Sequence, residues 1–169
     1  MKKFFVIGNP IEHSLSPKLH NYWIKLNNID AIYEKEKLKV KDLEALVSRV
    51  RKKEISGVNI TVPFKREIIK YIDNLSPEAE ITQSVNTIHL EKDKIVGSNT
   101  DIKGFEIAIK DINFSIKGKK IFIIGAGGVV PSIIFALKKV NVSSITISNR
   151  TKEKAENLKN FFNDFIIIN

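Results

Sequence analysis

The chain has 169 residues, 43% of them hydrophobic, a length that accommodates one large domain or two small ones with separate cores. It contains no cysteine, which excludes a disulfide framework, a thiolate metal site and a cysteine nucleophile, and fits a reducing compartment such as the cytoplasm. The net charge of +9 combines 28 basic with 19 acidic residues, a balance that admits an anionic ligand or a simply Lys-rich composition.

The excess is uneven: residues 1–104 carry 18 basic and 14 acidic side chains, residues 105–169 carry 10 and 5. A phosphorylated cofactor would favour the second part, although lysine is frequent throughout. The basic residues are interspersed with acids and no aromatic-basic RNA motif occurs, so nucleic acid is not an expected partner. No apolar run reaches the ~20 residues of a membrane span, and the run after Met1-Lys2-Lys3 is too short for a signal sequence.

In chain order, the patterning predicts a strand over 3–8, a helix over 17–26, an alternating strand over 31–38, and a helix over 40–53 with Leu43, Leu46, Val47 and Val50 on one face. A strand over 57–62 and a helix over 66–72 follow. Segments 85–90 and 94–97 read as a hairpin around Glu91-Lys92-Asp93, and 103–112 as a helix with Asp101 a candidate N-cap. The polar stretch 113–119, with Gly118, reads as a junction. Beyond it come strand 120–124, helix 128–139, strand 144–148, helix 152–162 and strand 165–168, one βαβαβ half of a dinucleotide-binding sheet.

Three clusters carry chemistry. Asn59-Ile60-Thr61-Val62-Pro63-Phe64-Lys65 sets a lysine just past a short apolar strand, and Ser98-Asn99-Thr100-Asp101 offers a carboxylate in another loop. A Lys–Asp pair suits reversible carbonyl chemistry, in which positive charge stabilises a developing alkoxide. Taken singly, Lys65 also reads as a solvated first-turn lysine and Asp101 as an N-cap. The third cluster is Gly125-Ala126-Gly127-Gly128, after a strand and before a helix, where glycines let the backbone approach a pyrophosphate at the helix N-terminus.

Smaller signals point the same way. Ser14 and Ser16 would face one side of an extended loop and could bind a carboxylate, or Ser16 could simply cap the helix begun by Pro17. Asn59, Thr61 and Asn86 are short polar groups at strand ends, suited to ring hydroxyls. Where an NAD enzyme places an acid after the second strand, this chain has Asn149-Arg150-Thr151, in which arginine can pair with a ribose 2′-phosphate and Thr151 can add a hydroxyl; the same residues also read as a basic turn before the next helix. His13, His20 and His89 share no ligand spacing, and no metal site is expected.

Ser14-Leu15-Ser16-Pro17, Asn59–Lys65, Val85-Asn86-Thr87, Asn99-Thr100-Asp101, Gly125–Gly128 and Asn149-Arg150-Thr151 stand in an order that resembles the shikimate dehydrogenase family over essentially the whole chain. The resemblance implies an α/β protein, with a substrate-binding catalytic domain over 1–112 and, over 113–169, the first βαβαβ half of a Rossmann-type NADP-binding domain. It implies NADPH-linked reduction of 3-dehydroshikimate to shikimate, a step toward aromatic amino acids. Lys65 would then be the proton donor and acceptor, and Asp101 would bind the adjacent hydroxyl and orient the lysine. Ser14 and Ser16 would hold the substrate carboxylate, Thr61 and Asn86 its hydroxyls, and Asn59 would support their loop. Gly125, Ala126, Gly127, Gly128, Asn149, Arg150 and Thr151 would hold NADP.

Two departures stand out. Ile102 occupies a position the family commonly fills with glycine, and Val130 stands where the dinucleotide fingerprint would end in Gly or Ala. Family members also continue beyond the length of this chain and return with a helix packed on the substrate domain, so the sequence reads as truncated. Tyr22 and Trp23 are then expected to be exposed, which favours self-association and leaves a homodimer open. The rival readings are a quinate/shikimate dehydrogenase, which a Thr or Gly in place of Ser16 would favour, and a non-catalytic cofactor- or substrate-binding fragment.

Overall fold

The computed structural model describes residues 1–162 and 166–168, which form an α/β chain of two compact units, Met1–Asn99 and Thr100–Asn169. In the first unit, strands β1 (Lys2–Gly8), β2 (Ala31–Lys37), β3 (Gly57–Ile60), β4 (Asn74–Leu75), β5 (Thr87–Glu91) and β6 (Lys94–Ser98) build one mixed sheet in the order β2-β1-β3-β5-β6-β4. β1 runs parallel to both β2 and β3, whereas β5 is antiparallel to β3 and to β6.

Alternation sorts side chains between the two faces. Phe5, Ile7, Val58, Ile60 and Ile88 enter the main core, closed by α2 (Leu43–Arg51) through Leu43, Leu46, Val47 and Val50. The opposite face carries Phe4, Val6 and Tyr33, joined by Ile11 and by Ile24 of α1 (Ser16–Leu26). Helix α1 buries no residue fully. Tyr22 and Trp23 are 63% and 45% exposed, in line with the sequence reading.

The expected elements recur, with local differences. The helix expected over 40–53 opens as a 3-10 turn, Val40–Asp42, tightened by the Lys39 N–H donating to Asp42 Oδ2 at 2.8 Å, before α2 proper. The helix expected over 66–72 is 3-10 throughout Glu67–Tyr71, with i to i−3 bonds from Ile69 and Ile72 that turn Ile68 into the core. The sequence reading had no element for β4 or for α3 (Pro77–Thr82). Ser76 caps α3 by accepting from the Ala79 N–H at 3.2 Å, and Gln83 ends it at φ 48°. The β5–β6 hairpin closes through Lys92 and Asp93, both at positive φ, between the paired Glu91 and Lys94.

In the second unit, α4 (Asp101–Asp111) precedes β7 (Lys120–Ile124), α5 (Val130–Lys139), β8 (Ser144–Ser148), α6 (Lys152–Phe162) and β9 (Ile166–Ile168). The three strands form a parallel sheet in the order β7-β8-β9, the βαβαβ half read from the sequence. Residue 165, also assigned to the last strand, lies outside the described residues. Ile145, Ile147, Val130, Ile134 and Leu137 make the core, on which Phe105 and Ile109 of α4 pack. Helix α4, placed in the first domain by the sequence reading, therefore groups with the second compact unit. No described helix is long and apolar enough to cross a membrane.

Asp73 ties β4 into the first unit. It accepts from the Ile95 N–H at 2.6 Å and pairs with Arg51 of α2 at 2.9 Å, and the Arg51 guanidinium, then the Ile95 N–H, hold its carboxyl below the usual carboxylate range. A carboxyl depressed in the folded state adds stability above its ordinary pKa and loses it as pH falls through the folded value. Asp73→Asn is expected to cost about 1 kcal/mol at neutral pH. Its melting temperature should converge with that of the parent as pH falls below about 4, a trend that thermal melts across an acid series would read directly.

Candidate active site

Of the candidate residues in the first unit, Thr61, Lys65 and Asn86 lie at the end of its sheet where β1 and β3 stop and β5 begins. There the Thr61 N–H donates to the Ile7 carbonyl at 3.0 Å and the Asn9 N–H to the Val62 carbonyl at 3.0 Å, so the chain segments leaving β1 and β3 stay side by side. Gly8 permits that approach: a Cβ there would lie 2.7 Å from Thr61 Cγ2 and 3.2 Å from the Val62 oxygen.

Lys65 follows a turn closed by the Phe64 N–H donating to the Thr61 carbonyl at 3.0 Å. Phe64, 1% exposed, plugs into the main core and anchors the turn, while the Val85 N–H donates to the Lys65 carbonyl at 2.9 Å. Lys65 is half buried and Arg66 beside it is exposed, so the two neighbouring cations occupy different environments. Asn86 is fixed at the same end, its N–H bonded to the Ser98 carbonyl at 3.0 Å and its carbonyl accepting from Ile60 at 2.8 Å.

Ser14 and Ser16 lie in the segment leaving β1, both half buried. The N-cap of α1 is Leu15, and Ser16 is the first helical residue, so the capping alternative for Ser16 does not hold. Instead the Ser16 N–H donates to Ser14 Oγ at 3.3 Å, a local bond that sets the two serines in one turn. Sequence reasoning gave no role to Asn99 apart from its motif. It is 5% exposed and donates through Nδ2 to Thr82 Oγ1 at 2.9 Å, tying the end of β6 to α3.

The remaining candidates belong to the second unit. Asp101 is half buried in the first turn of α4, where a carboxylate is favoured by the helix dipole. Thr100, not Asp101, is the N-cap residue. Ile102 is buried, which gives the side chain that departs from the family's glycine a packing role.

The glycine loop leaves β7 at Gly125, whose φ of +108° is a conformation that side chains rarely adopt. A Cβ on Gly125 or Gly127 would meet nothing within 4 Å, so the loop is open on the side these residues face. Helix α5 starts at Val130, later than the expected 128, and Val130 is buried in the core, where the branched side chain is accommodated. The Gly125 N–H donates to the Ser148 carbonyl at 2.8 Å. Asn149 accepts from the Ala126 N–H at 3.1 Å and donates to the Thr151 carbonyl at 2.6 Å, clasping the glycine loop to the turn that presents exposed Arg150 and Thr151. An open glycine loop at the ends of parallel strands, before a ten-residue helix and beside an exposed arginine, fits a dinucleotide bearing a 2′-phosphate.

Comparisons with known proteins identify the family of both units. Residues 6–88 match the shikimate dehydrogenase substrate binding domain, and residues 106–168 match the shikimate/quinate 5-dehydrogenase domain. The NADP(+) shikimate dehydrogenase of Pelagibacter ubique is 56% identical over 167 residues, a match that covers 99% of this chain and 63% of that protein. Shikimate dehydrogenase from Aquifex aeolicus superposes with a TM-score of 0.92 at 34% identity, over 100% of this chain and 62% of the other. Shikimate 5-dehydrogenase from Thermus thermophilus, solved in complex with NADP(H) and shikimate, gives 0.88 at 31% identity, over 100% and 63%. The chain thus spans somewhat over three-fifths of the length of these relatives. Two domains of one family, matched in order on consecutive stretches, show that this chain belongs to the shikimate dehydrogenase family.

Proposed function

We propose that the chain supplies the substrate-binding unit and the first half of the cofactor-binding unit of a cytoplasmic, NADP-dependent shikimate dehydrogenase, which interconverts 3-dehydroshikimate and shikimate on the route to aromatic amino acids. The observation that carries this reading is the convergence of Thr61, Lys65 and Asn86 at one end of the sheet, with Ser14 and Ser16 in the segment that leaves the adjoining strand.

In this reading Ser14 and Ser16 take the substrate carboxylate, and Thr61 and Asn86 take ring hydroxyls. NADP held by the second unit would supply the hydride for reduction and take it up in oxidation, at the substrate carbon. On reduction the Lys65 ammonium gives its proton to the oxygen that becomes the alcohol; on oxidation the neutral amine takes it back. A positive charge already in place stabilises the oxygen as negative charge develops there. Asp101 is assigned to the neighbouring hydroxyl. The glycine loop and the N-terminal end of α5 would hold the cofactor pyrophosphate, Arg150 and Thr151 its 2′-phosphate, and Asn149 the relative placement of loop and turn.

The test is reduction of NADP+ by shikimate, followed by the absorbance of reduced nicotinamide, with the chain alone and with the chain extended to the length of its relatives; quinate in place of shikimate separates the two substrates. Lys65→Met is expected to lower turnover at least ~10²-fold while leaving shikimate affinity nearly unchanged. Undiminished turnover in that variant would remove Lys65 from the chemistry. Arg150→Ala should weaken NADP binding by about 10- to 100-fold, the worth of a charge-assisted contact, and leave NAD binding as it was. Competition binding with the two cofactors reads this, and an unaltered preference would place the 2′-phosphate elsewhere.

A further inference from the structure

Tyr33 is held in three ways on the face of the first unit opposite its main core. Its backbone lies on β2, an edge strand, where Asn21 of α1 acts as a missing neighbour: Asn21 Oδ1 accepts from the Tyr33 N–H at 2.9 Å and Asn21 Nδ2 donates to the Tyr33 carbonyl at 2.7 Å. Its ring is stacked flat on His20, with centroids 4.1 Å apart and planes 6° from parallel. Its hydroxyl reaches past β1 to Asn59 Oδ1 on β3, at 2.6 Å. Tyr33 is 4% exposed, and burial pushes its phenol up to about 12, so it remains a protonated donor across the working range.

The direction of the bonds beyond Tyr33 follows from the donors and acceptors present. Asn59 approaches the Asn86 backbone carbonyl at 3.4 Å and Thr87 Oγ1 at 3.0 Å through the same end of its amide. A carbonyl can only accept, so that end is Nδ2, and Oδ1 is the end that meets Tyr33. The Tyr33 hydroxyl therefore donates. Thr87, paired opposite Asn59 across β3 and β5, accepts from Asn59 and has one hydrogen to give; it stands 3.0 Å from Asn86 Oδ1. The amide of Asn86 is thereby fixed, Oδ1 toward Thr87 and Nδ2 as its donor end.

We propose that Tyr33 is a positioning residue which, through Asn59 and Thr87, sets the Asn86 amide so that it meets substrate as a hydrogen-bond donor and selects a ring oxygen that accepts. The idea rests on the shikimate-binding reading of this unit. It gives Asn59 a second role beyond loop support, and it explains why a polar residue interrupts the apolar strand Gly57–Ile60 on the face away from the core. Hydrogen bonds in series polarise one another, so the last donor depends on the first.

The experiment uses the 169-residue chain with Tyr33→Phe, Thr87→Val and the double variant, reading shikimate affinity by calorimetry and the Asn86 side-chain amide by nitrogen-15 NMR without ligand. Each single variant is expected to shift the Asn86 amide pair and weaken shikimate binding about 3- to 10-fold. The double variant should bind no more weakly than the weaker single, because the relay is already cut. A merely structural Tyr33 would instead multiply the two losses and leave the Asn86 amide pair in place, and either result overturns the proposal. Thr87→Val leaves the Tyr33 clamp intact and carries the test by itself if Tyr33→Phe fails to fold. If the parent chain does not bind shikimate, the substrate reading fails, while the ligand-free amide spectrum still decides the relay.

Discussion

The close pairing of the chain segments that leave β1 and β3 is the constraint on which the first unit's site depends. Two backbone bonds, Thr61 to Ile7 and Asn9 to Val62, keep those segments adjacent past the strand ends, and they require a glycine at position 8 because a Cβ would strike Thr61. Everything assigned to substrate in this unit is placed relative to that seam. The serines lie on the segment from β1, Thr61 and Lys65 on the segment from β3, and Asn86 opposite Ile60 where β5 starts. Phe64 then fixes the depth of the turn, since its burial in the main core leaves its neighbour Lys65 at the rim. Loss of the seam would displace donors on three segments at once, and small misplacements are costly where reacting groups must meet in a narrow range of geometries.

The second unit reaches the same end by a different device. Beyond the ends of β7 and β8, the Gly125 N–H bonds to the Ser148 carbonyl, and a single side chain, Asn149, spans from the Ala126 N–H to the Thr151 carbonyl and holds loop and turn together. A side-chain clasp suits a loop that must stay open. The glycines leave space where side chains would otherwise sit, and the arginine beside them remains exposed.

Much of this was legible in the sequence. The apolar spacing of Leu43, Leu46, Val47 and Val50 identified the face α2 buries, and the run of strand, glycines and helix identified β7 to α5, because both signals are local and periodic. Elements set by tertiary contacts were not legible: β4 is two residues long and exists because Asp73 and Ser76 bond to its neighbours, and α3 is a six-residue helix defined by a serine cap. The Tyr33–Asn59–Thr87 chain was invisible for another reason. Its successive members are 26 and 28 positions apart, and only the strand order β2-β1-β3-β5 brings them to one face. The one trace in the sequence is Asn59 itself, a polar residue between Val58 and Ile60.

The most direct measurement is a nitrogen-15 NMR titration of the chain, first with shikimate and then with adenosine 2′,5′-bisphosphate. Shikimate should shift the signals of Ser14, Ser16, Thr61, Lys65 and Asn86 together along one saturation curve, and the bisphosphate should shift those of Ala126, Gly127, Arg150 and Thr151 along another. Shifts scattered over the surface, or confined to residues away from the β1–β3 seam and the Asn149 clasp, would contradict the account.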